Sequence, residues 1–208
     1  HGAVIAHAGT ADTRVFREVT QLGKEREKIG SRVMGSENHA KVGIIFDWEN
    51  YWALEYTSGP NRDLRYVDQI EQMYNYFYNK NIAVDMIPID ADFSKYDLVA
   101  APVLYMVKDG VAESLEAYVQ AGGTLITTYM SGIVGQSDNV HLGGYPGPLR
   151  KMAGVWVEEI DALAPEQRNK IRFADGTEEE CRLVCDLMHL EGAEEIAQYE
   201  SDFYAGMT

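Results

Sequence analysis

The sequence has few basic residues, few cysteines and no long apolar run, and each shortage excludes a class of protein. Its 208 residues carry 18 Lys and Arg against 33 Asp and Glu, a formal net charge of −15. A surface of that sign repels nucleic-acid phosphates and anionic lipid headgroups. No apolar run approaches the roughly 20 residues that a bilayer span needs, and the first residues lack the features of a signal peptide. We therefore expect a soluble, cytoplasmic protein with neither nucleic-acid nor membrane partners.

Metal and cofactor signatures are also scarce. The two cysteines, Cys181 and Cys185, are too few for a disulfide framework and lack zinc-pair spacing, so they are interpreted as buried, reduced thiols. The five histidines show no ligand spacing on one helix face. Neither GxGxxG nor a P-loop pattern follows any predicted strand, which argues against a dinucleotide or flavin. We expect no metal and no cofactor.

The chain opens on His1 rather than Met, so we expect the native protein to continue upstream. Residues 1–8 predict a short apolar strand that places His1 and His7 on one face. A helix follows, capped by Thr10 or Asp12. Residues 31–40 are rich in turn formers and predict a linker, which separates a first domain at 1–36 from a second at 37–208. The helix has apolar residues at helical spacing: Val15, Phe16, Val19, Leu22 and Ile29.

From Lys41 onward, strand and helix patterns alternate. Near-continuous apolar strands are predicted at 42–46, 82–87, 97–101 and 124–129. Such strands, separated by amphipathic helices, predict a parallel sheet covered on both faces, and thus an α/β, flavodoxin-like doubly wound fold. Two helix faces are expected between the strands, one with Leu64, Val67, Ile70, Met73 and Phe77, the other with Val111, Leu115 and Val119.

The pattern breaks after the fourth strand. The glycine-rich loop 131–148 has few apolar anchors, so we expect it to be poorly ordered or held by another chain. A short helix follows at 149–154. Segments 155–160, 170–173, 181–190 and 194–200 then predict short strands joined by turns. This end of the chain is expected to form a small mixed or antiparallel β extension.

Ligands bind beyond the carboxyl ends of the strands in an open α/β sheet, so the segment after the first strand is the first place to look. Asp47 and Glu49, two residues apart in an extended loop, would point the same way, as paired acids do in sugar-cleaving sites. The alternative is an interface or the rim of a substrate site, since aromatic residues are enriched at interface cores. We favour the second interpretation, and its candidates are Trp48, Glu49, Asn50, Tyr51 and Trp52.

A nucleophile elbow would need Cys or Ser at a tight turn directly after a strand, with a partner His later. The fourth predicted strand is followed by Ser131, with no Cys at the turn. His141 and His189 lack the spacing that would complete a triad with it. We therefore expect no catalytic residue here, although a self-sufficient binder or hydrolase of amidotransferase-like fold that uses the Asp47–Glu49 loop stays open as the alternative.

Several runs resemble the β-galactosidases of glycoside hydrolase family 42, in the right order and over essentially the whole chain. The first two, at 1–5 and 13–19, resemble the end of the catalytic barrel and the helix that leaves it. The others resemble the second domain: DWEN at 47–50, WALE at 52–55, GPN at 59–61, YDLV at 96–99, GGYPGPL at 143–149, WVEEID at 156–161, HLEGA at 189–193 and DFYAG at 202–206.

The resemblance implies a retaining glycosidase whose barrel bears two catalytic glutamates, both upstream of His1. It implies a flavodoxin-like second domain that forms a homotrimer and lacks catalytic residues of its own. His1 matches the barrel histidine that contacts galactose, and is the one residue carried over to substrate. The implied partners are the chain's own catalytic barrel, two further copies of the chain, and a galactoside bound through the barrel.

Overall fold

The computed structural model describes residues 4–57 and 59–200. The chain divides into two compact units, with the boundary between His39 and Ala40. The predicted assignment of 1–36 to a barrel end and linking helix, and of 37–208 to a trimerisation domain, stays a prediction about the nature of these parts.

The first unit contains one long helix, α1, at Arg14–Val33. Neither predicted cap is correct: Thr13, one residue after Asp12 and three after Thr10, is the N-cap, and its side chain accepts the N–H of Phe16 at 3.1 Å. Residues 4–8 form bends and turns, so the strand predicted at 1–8 is wrong over its described part. His1 lies outside the described residues.

A parallel sheet forms the centre of the second unit. Its strands are β1 at Val42–Ile45, β2 at Val84–Ile87, β3 at Leu98–Ala101 and β4 at Thr124–Thr127. They pair in the order β2-β1-β3-β4, and every pairing is parallel. The four predicted strands and their parallel arrangement are confirmed, each within one or two residues of its predicted ends.

Helices cover both faces of this sheet, as predicted. Ile44 of β1 belongs to a core cluster with residues of α2 at Trp48–Tyr56 and α3 at Tyr66–Tyr78. The next residue, Ile45, points to the other face and packs with α4 at Val111–Gln120. Successive strand residues face opposite sides, so this alternation places two apolar cores on one sheet.

Two expectations about the helices are wrong. Residues 48–56 form α2 rather than an extended loop. Val67, predicted on the buried face of α3, is 45% exposed, whereas its neighbour Tyr66 is 1% exposed. The helix begins at Tyr66, and its buried face runs through Tyr66, Ile70 and Phe77, with Met73 packed against the same core. Val67 is therefore the one predicted residue that leaves that face.

The rest of the second unit is the predicted β extension, and its strands are antiparallel. The short helix α5 at Arg150–Ala153 leads into β5 at Val155–Ala162, which pairs with β8 at Val184–Leu190. A second sheet has β6 at Asn169–Phe173 between its neighbours, β7 at Glu178–Cys181 and β9 at Ala197–Tyr199.

The loop 131–148 does not match the expectation of poor order. Its first part packs on its own domain: Gly132 N donates to Leu104 O at 2.8 Å, and Val134 is buried. Val134 then forms an antiparallel bridge with Val140. The middle part, at 136–143, is largely exposed, with Leu142 96% exposed, and the chain then returns to the domain at Pro146, which is buried. Contact with another chain therefore stays a prediction for the outer part alone.

Among the helices that the structure describes, we find none whose length and apolar character would let it cross a membrane.

Candidate functional site

The segment after β1 is organised by the carboxylate of Asp47. Its Oδ2 atom accepts the backbone N–H of Asn50 at 3.1 Å and so caps the first turn of α2. Its Oδ1 atom accepts a hydrogen bond from Lys108 Nζ at 2.9 Å. Lys108 also pairs with the carboxylate of Glu49. Both acids of the sequence hypothesis are therefore held by one ammonium group.

The charge state of Lys108 follows from this arrangement. Partial burial lowers its pKa, but the hydrogen bonds to Glu49 and Asp47 outweigh burial and hold the pKa above its ordinary value. The ammonium is therefore held as a cation between the two carboxylates. Asp47 is an N-cap and Glu49 lies in the first turn of a helix, so the expectation of an extended loop is wrong. The two carboxylates nevertheless converge, on Lys108, and this ion pairing does not favour the paired-acid interpretation.

Asn50 is a fully buried polar side chain that joins α2 to the segment after β3. Its Nδ2 atom donates to Val103 O at 3.0 Å, and its Oδ1 atom accepts the N–H of Met106 at 2.7 Å. Its exposure is 0%. Asn50 was predicted at an interface or rim, and the structure instead places it inside the domain.

Tyr66 completes the buried part of the site. Its hydroxyl accepts the N–H of Asp47 at 3.3 Å and lies 3.4 Å from Ile45 O, to which it donates. Burial raises the pKa of Tyr66 to about 12, so the hydroxyl stays protonated at physiological pH. The end of β1 and the start of α2 are thereby fixed to α3.

The outer face of α2 presents a row of aromatic rings. Trp48 is 60% exposed, Trp52 50% and Tyr56 89%. Residues at i, i+4 and i+8 lie along one helix face, and the rings of Trp48 and Trp52 have centroids 6.1 Å apart. We call these three residues the α2 stripe. Tyr51 is half-buried and contacts Trp48 from the side, with ring centroids 6.0 Å apart.

Ser131 has a structural role. Its hydroxyl donates to Thr128 O at 2.7 Å and accepts the N–H of Leu104 at 3.1 Å. Thr127 Oγ1 donates to the Ser131 hydroxyl oxygen at 2.7 Å. Of the proposed histidine partners, His189 instead contacts Glu158, with Nε2 and Oε2 2.5 Å apart. The expectation that no catalytic residue stands at this turn stays a prediction.

Neither cysteine forms a disulfide bond; Cys185 is buried and Cys181 half-buried. Burial raises the pKa of the Cys181 thiol and thus favours its protonated form. Within residues 4–57 and 59–200, no group of three or more His, Cys, Asp or Glu side chains could hold a metal ion.

Sequence reasoning missed Lys108 and Tyr56. Lys108 follows β3 by seven residues, and nothing in its local sequence indicates that it reaches the end of β1. Tyr56 carried a usable signal: it stands four residues after Trp52 and eight after Trp48. That spacing indicates one helix face only if the segment is a helix, and the sequence signal for the helix is Asp47 as its N-cap.

The comparisons with known proteins agree with one another. Residues 40–208 match the β-galactosidase trimerisation domain family. β-Galactosidase LacZ of Lactobacillus acidophilus is 52% identical over 206 residues, 99% of this chain and 31% of that protein. The crystal structure of β-galactosidase from Bacillus circulans sp. alkalophilus has a TM-score of 0.86 at 48% identity, covering 98% of this chain and 31% of that one. Gan42B, a GH42 β-galactosidase from G. stearothermophilus, has a TM-score of 0.82 at 39% identity, over 98% of this chain and 30% of that one.

The parallel sheet and its antiparallel extension define a mixed α/β domain that is shared with these structures. The chain belongs to the trimerisation domain family of the GH42 β-galactosidases, as the resemblance implied. It spans about 31% of the length of the curated relatives it matches.

Proposed function

We propose that this chain is the non-catalytic module through which a retaining β-galactosidase assembles as a homotrimer. The observation that carries the proposal is the α2 stripe, in which three large aromatic side chains are half or more exposed on one helix face. Each ring leaves on the order of 100 Å² of surface uncovered, and covering it contributes roughly 2 kcal/mol at about 25 cal/mol per Å². A second protein surface gives these rings the cover that their own domain does not.

The fold supports the same proposal. We assign it to the flavodoxin-like class because its strand order, β2-β1-β3-β4, matches the first four strands of that arrangement. The crevice at the switch point between β1 and β3 is where such folds bind ligands. Here Lys108 donates to the Asp47 carboxylate, and the Asn50 amide bonds to backbone groups of Val103 and Met106. This supports a scaffold that keeps the architecture without a ligand site at that crevice.

We propose the activity, substrate and location of the intact protein from its family. Catalysis belongs to a barrel domain with two glutamates upstream of His1, the substrates are terminal β-D-galactosides, and His1 contacts the galactose. The enzyme is expected in the cytoplasm. We also propose Trp48 and Trp52 as part of the rim of a neighbour's active site. We place Glu49 and Tyr51 at the margin of that surface, and Asn50 beneath it as a support.

Two measurements test the proposal. Sedimentation of the full-length protein should give three copies per particle, and a monomer would overturn the assembly function. The purified 208-residue chain should not hydrolyse a chromogenic β-galactoside. Hydrolysis by this chain that is lost in Glu49→Gln but kept in Glu55→Gln would instead establish the alternative, a self-sufficient hydrolase using the Asp47–Glu49 segment.

A further inference from the structure

In a closed trimer, the α2 stripe of one protomer is covered by a different patch of the next protomer. Three copies that close a ring do so through heterologous contacts, in which one patch of each protomer meets a different patch of the next. A twofold contact of stripe against stripe would instead give a dimer. The identity of the covering patch is inferred on the basis of the proposed trimer. The described surface offers one well-matched candidate for that patch.

That candidate is the outer part of the loop after β4. Leu142 is 96% exposed and Val140 54%. Among the described residues from 40 to 200, Leu142 and Tyr56 are the two most exposed large apolar side chains. We call Val140 and Leu142 the loop tip. Leu142 and Tyr56 are therefore left largely uncovered by the described residues of the second unit.

The loop tip stands on a firm base. Val134 is 2% exposed and forms an antiparallel bridge with Val140. Gly135 N donates to Asn139 O at 2.9 Å, which closes the turn between them. His141 N donates to Ile133 O at 3.0 Å. Backbone hydrogen bonds therefore hold the tip outward, and ordering it on a partner would cost little conformational entropy.

Both patches arise at the same end of the sheet. The stripe begins directly after β1, and the loop begins directly after β4, and the carboxyl ends of parallel strands lie at one edge. Hydrogen bonds connect the two: Val107 N donates to Val134 O at 2.9 Å, while Met106 N donates to Asn50 Oδ1 at 2.7 Å. A threefold rotation axis that runs close to this edge brings the α2 stripe of one protomer against the loop tip of the next.

One charge beside the loop tip is suited to the same pairing. Glu49, whose side chain is 60% exposed, borders the stripe and is paired with Lys108. Beside the loop tip, Arg150 is paired with Glu191, whereas the next residue, Lys151, is exposed with no ion pair among the described residues. In a chain with a net charge of −15, a lysine that faces Glu49 of a neighbour reduces the repulsion between copies.

We propose that the loop tip of each protomer packs against the α2 stripe of the next, with Leu142 seated among Trp48, Trp52 and Tyr56. An aliphatic side chain on a narrow tip suits a row of rings spaced one helical turn apart, in the manner of an interface anchor. The other exposed apolar residues of the second unit include Met188 and Ile196, which belong to the antiparallel extension rather than to this edge.

Disulfide trapping in the full-length protein tests the pairing, because a disulfide forms only when two Cα atoms come within about 7 Å. A variant with both Trp52→Cys and Leu142→Cys should give a covalent trimer on a denaturing gel after mild oxidation. Tyr56→Cys with Leu142→Cys serves as a second pair on the same surface. Each single variant should run as a monomer. The two single variants expressed together should give a covalent dimer and nothing larger.

The matched control is Trp52→Cys with Ile196→Cys, which should stay uncrosslinked. Sedimentation of each variant before oxidation separates the two levels of the proposal. A trimer that crosslinks through the control pair, or through neither loop-tip pair, would overturn the pairing while the trimer stands. A protein that sediments as a monomer before any substitution would overturn both.

Discussion

The side-chain amide of Asn50 donates to Val103 O at 3.0 Å across 53 residues of sequence, and so ties α2 to the chain segment after β3. The same amide accepts the N–H of Met106 at 2.7 Å. One buried side chain therefore satisfies two backbone groups, and it sets where the helix that bears the α2 stripe lies on the sheet.

Asn50→Ala should destabilise the 208-residue chain by about 3 kcal/mol, because a buried carbonyl and a buried N–H both lose their partner. Asn75→Ala, on an exposed position of α3, should change stability by less than about 0.5 kcal/mol. Urea unfolding monitored by circular dichroism measures both. Equal, small effects would show that Asn50 does not hold α2 in place.

The parallel sheet could be predicted from the sequence, whereas α2 could not. Strand β1 is a run of apolar residues that are all buried, so burial and sequence pattern coincide. In α2, Ala53 and Leu54 face the core while Trp48 and Trp52 face outward, so both sides of the helix are apolar. Amphipathic contrast, which identifies a helix in a sequence, is therefore missing. The Asp47 N-cap is the sequence signal that identifies this helix, and the Asn50 contacts fix its position on the sheet.

The site itself was predicted in part. Exposed rings at 48 and 52 follow from their residue types and their place after a strand. The burial of Asn50 and the contact of Lys108 with Asp47 could not be predicted, because both depend on where the loop after β3 runs. Such contacts join distant parts of the sequence, and no local pattern carries them.

The loop 131–148 is tightly packed where it leaves β4, and two glycines there form a matched pair. Gly132 has φ of +68°, and an added Cβ would lie 2.0 Å from Pro146 O. Gly143 has φ of +100° with open space around it. Alanine at either position meets the strain of a positive φ, but only Gly132→Ala also clashes with backbone.

Gly132→Ala should therefore reduce the free energy of unfolding by at least about 2 kcal/mol more than Gly143→Ala. Chemical denaturation of the two variants measures the difference directly. If both lose the same amount, the close approach of Gly132 to Pro146 does not limit packing.

Asp186 gives the stability of the domain a specific pH dependence. Burial raises its pKa to about 6, and the backbone N–H of Met130 partly opposes that rise. Its Oδ1 atom has no hydrogen-bond partner among the residues that the structure describes. The unfolded chain releases this proton at a lower pH than the folded chain does, so the contribution of Asp186 to stability falls as pH rises from about 4 to about 6.

Asp186→Asn should remove that fall, so the stability difference between variant and parent should shift in favour of the variant by about 2 to 3 kcal/mol between pH 4 and pH 7. Asp63→Asn, at an exposed position, is the control for replacing a carboxyl group by an amide. Unfolding in urea at several pH values provides the comparison. A pH-independent difference for Asp186→Asn would mean that its carboxyl is ionised in the fold at acidic pH.

The α2 stripe should separate assembly from folding. Trp48→Ala and Trp52→Ala remove rings that are 60% and 50% exposed, so each should lower the melting temperature of the isolated chain by only a few degrees. In the full-length protein the same rings are expected to be covered by a neighbour, and losing one should weaken the trimer roughly 10-fold or more, since interface tryptophans commonly contribute 2 kcal/mol or more. Sedimentation across a dilution series measures the shift, and the Michaelis constant for a galactoside should rise if the rings also border a neighbour's active site.

Tyr78→Ala, which removes a ring that is 63% exposed on α3, is the matched control and should leave the trimer unchanged. If both tryptophan variants instead unfold the isolated chain and leave any surviving trimer kinetically normal, the rings belong to the core of their own domain, and the interface assignment is wrong.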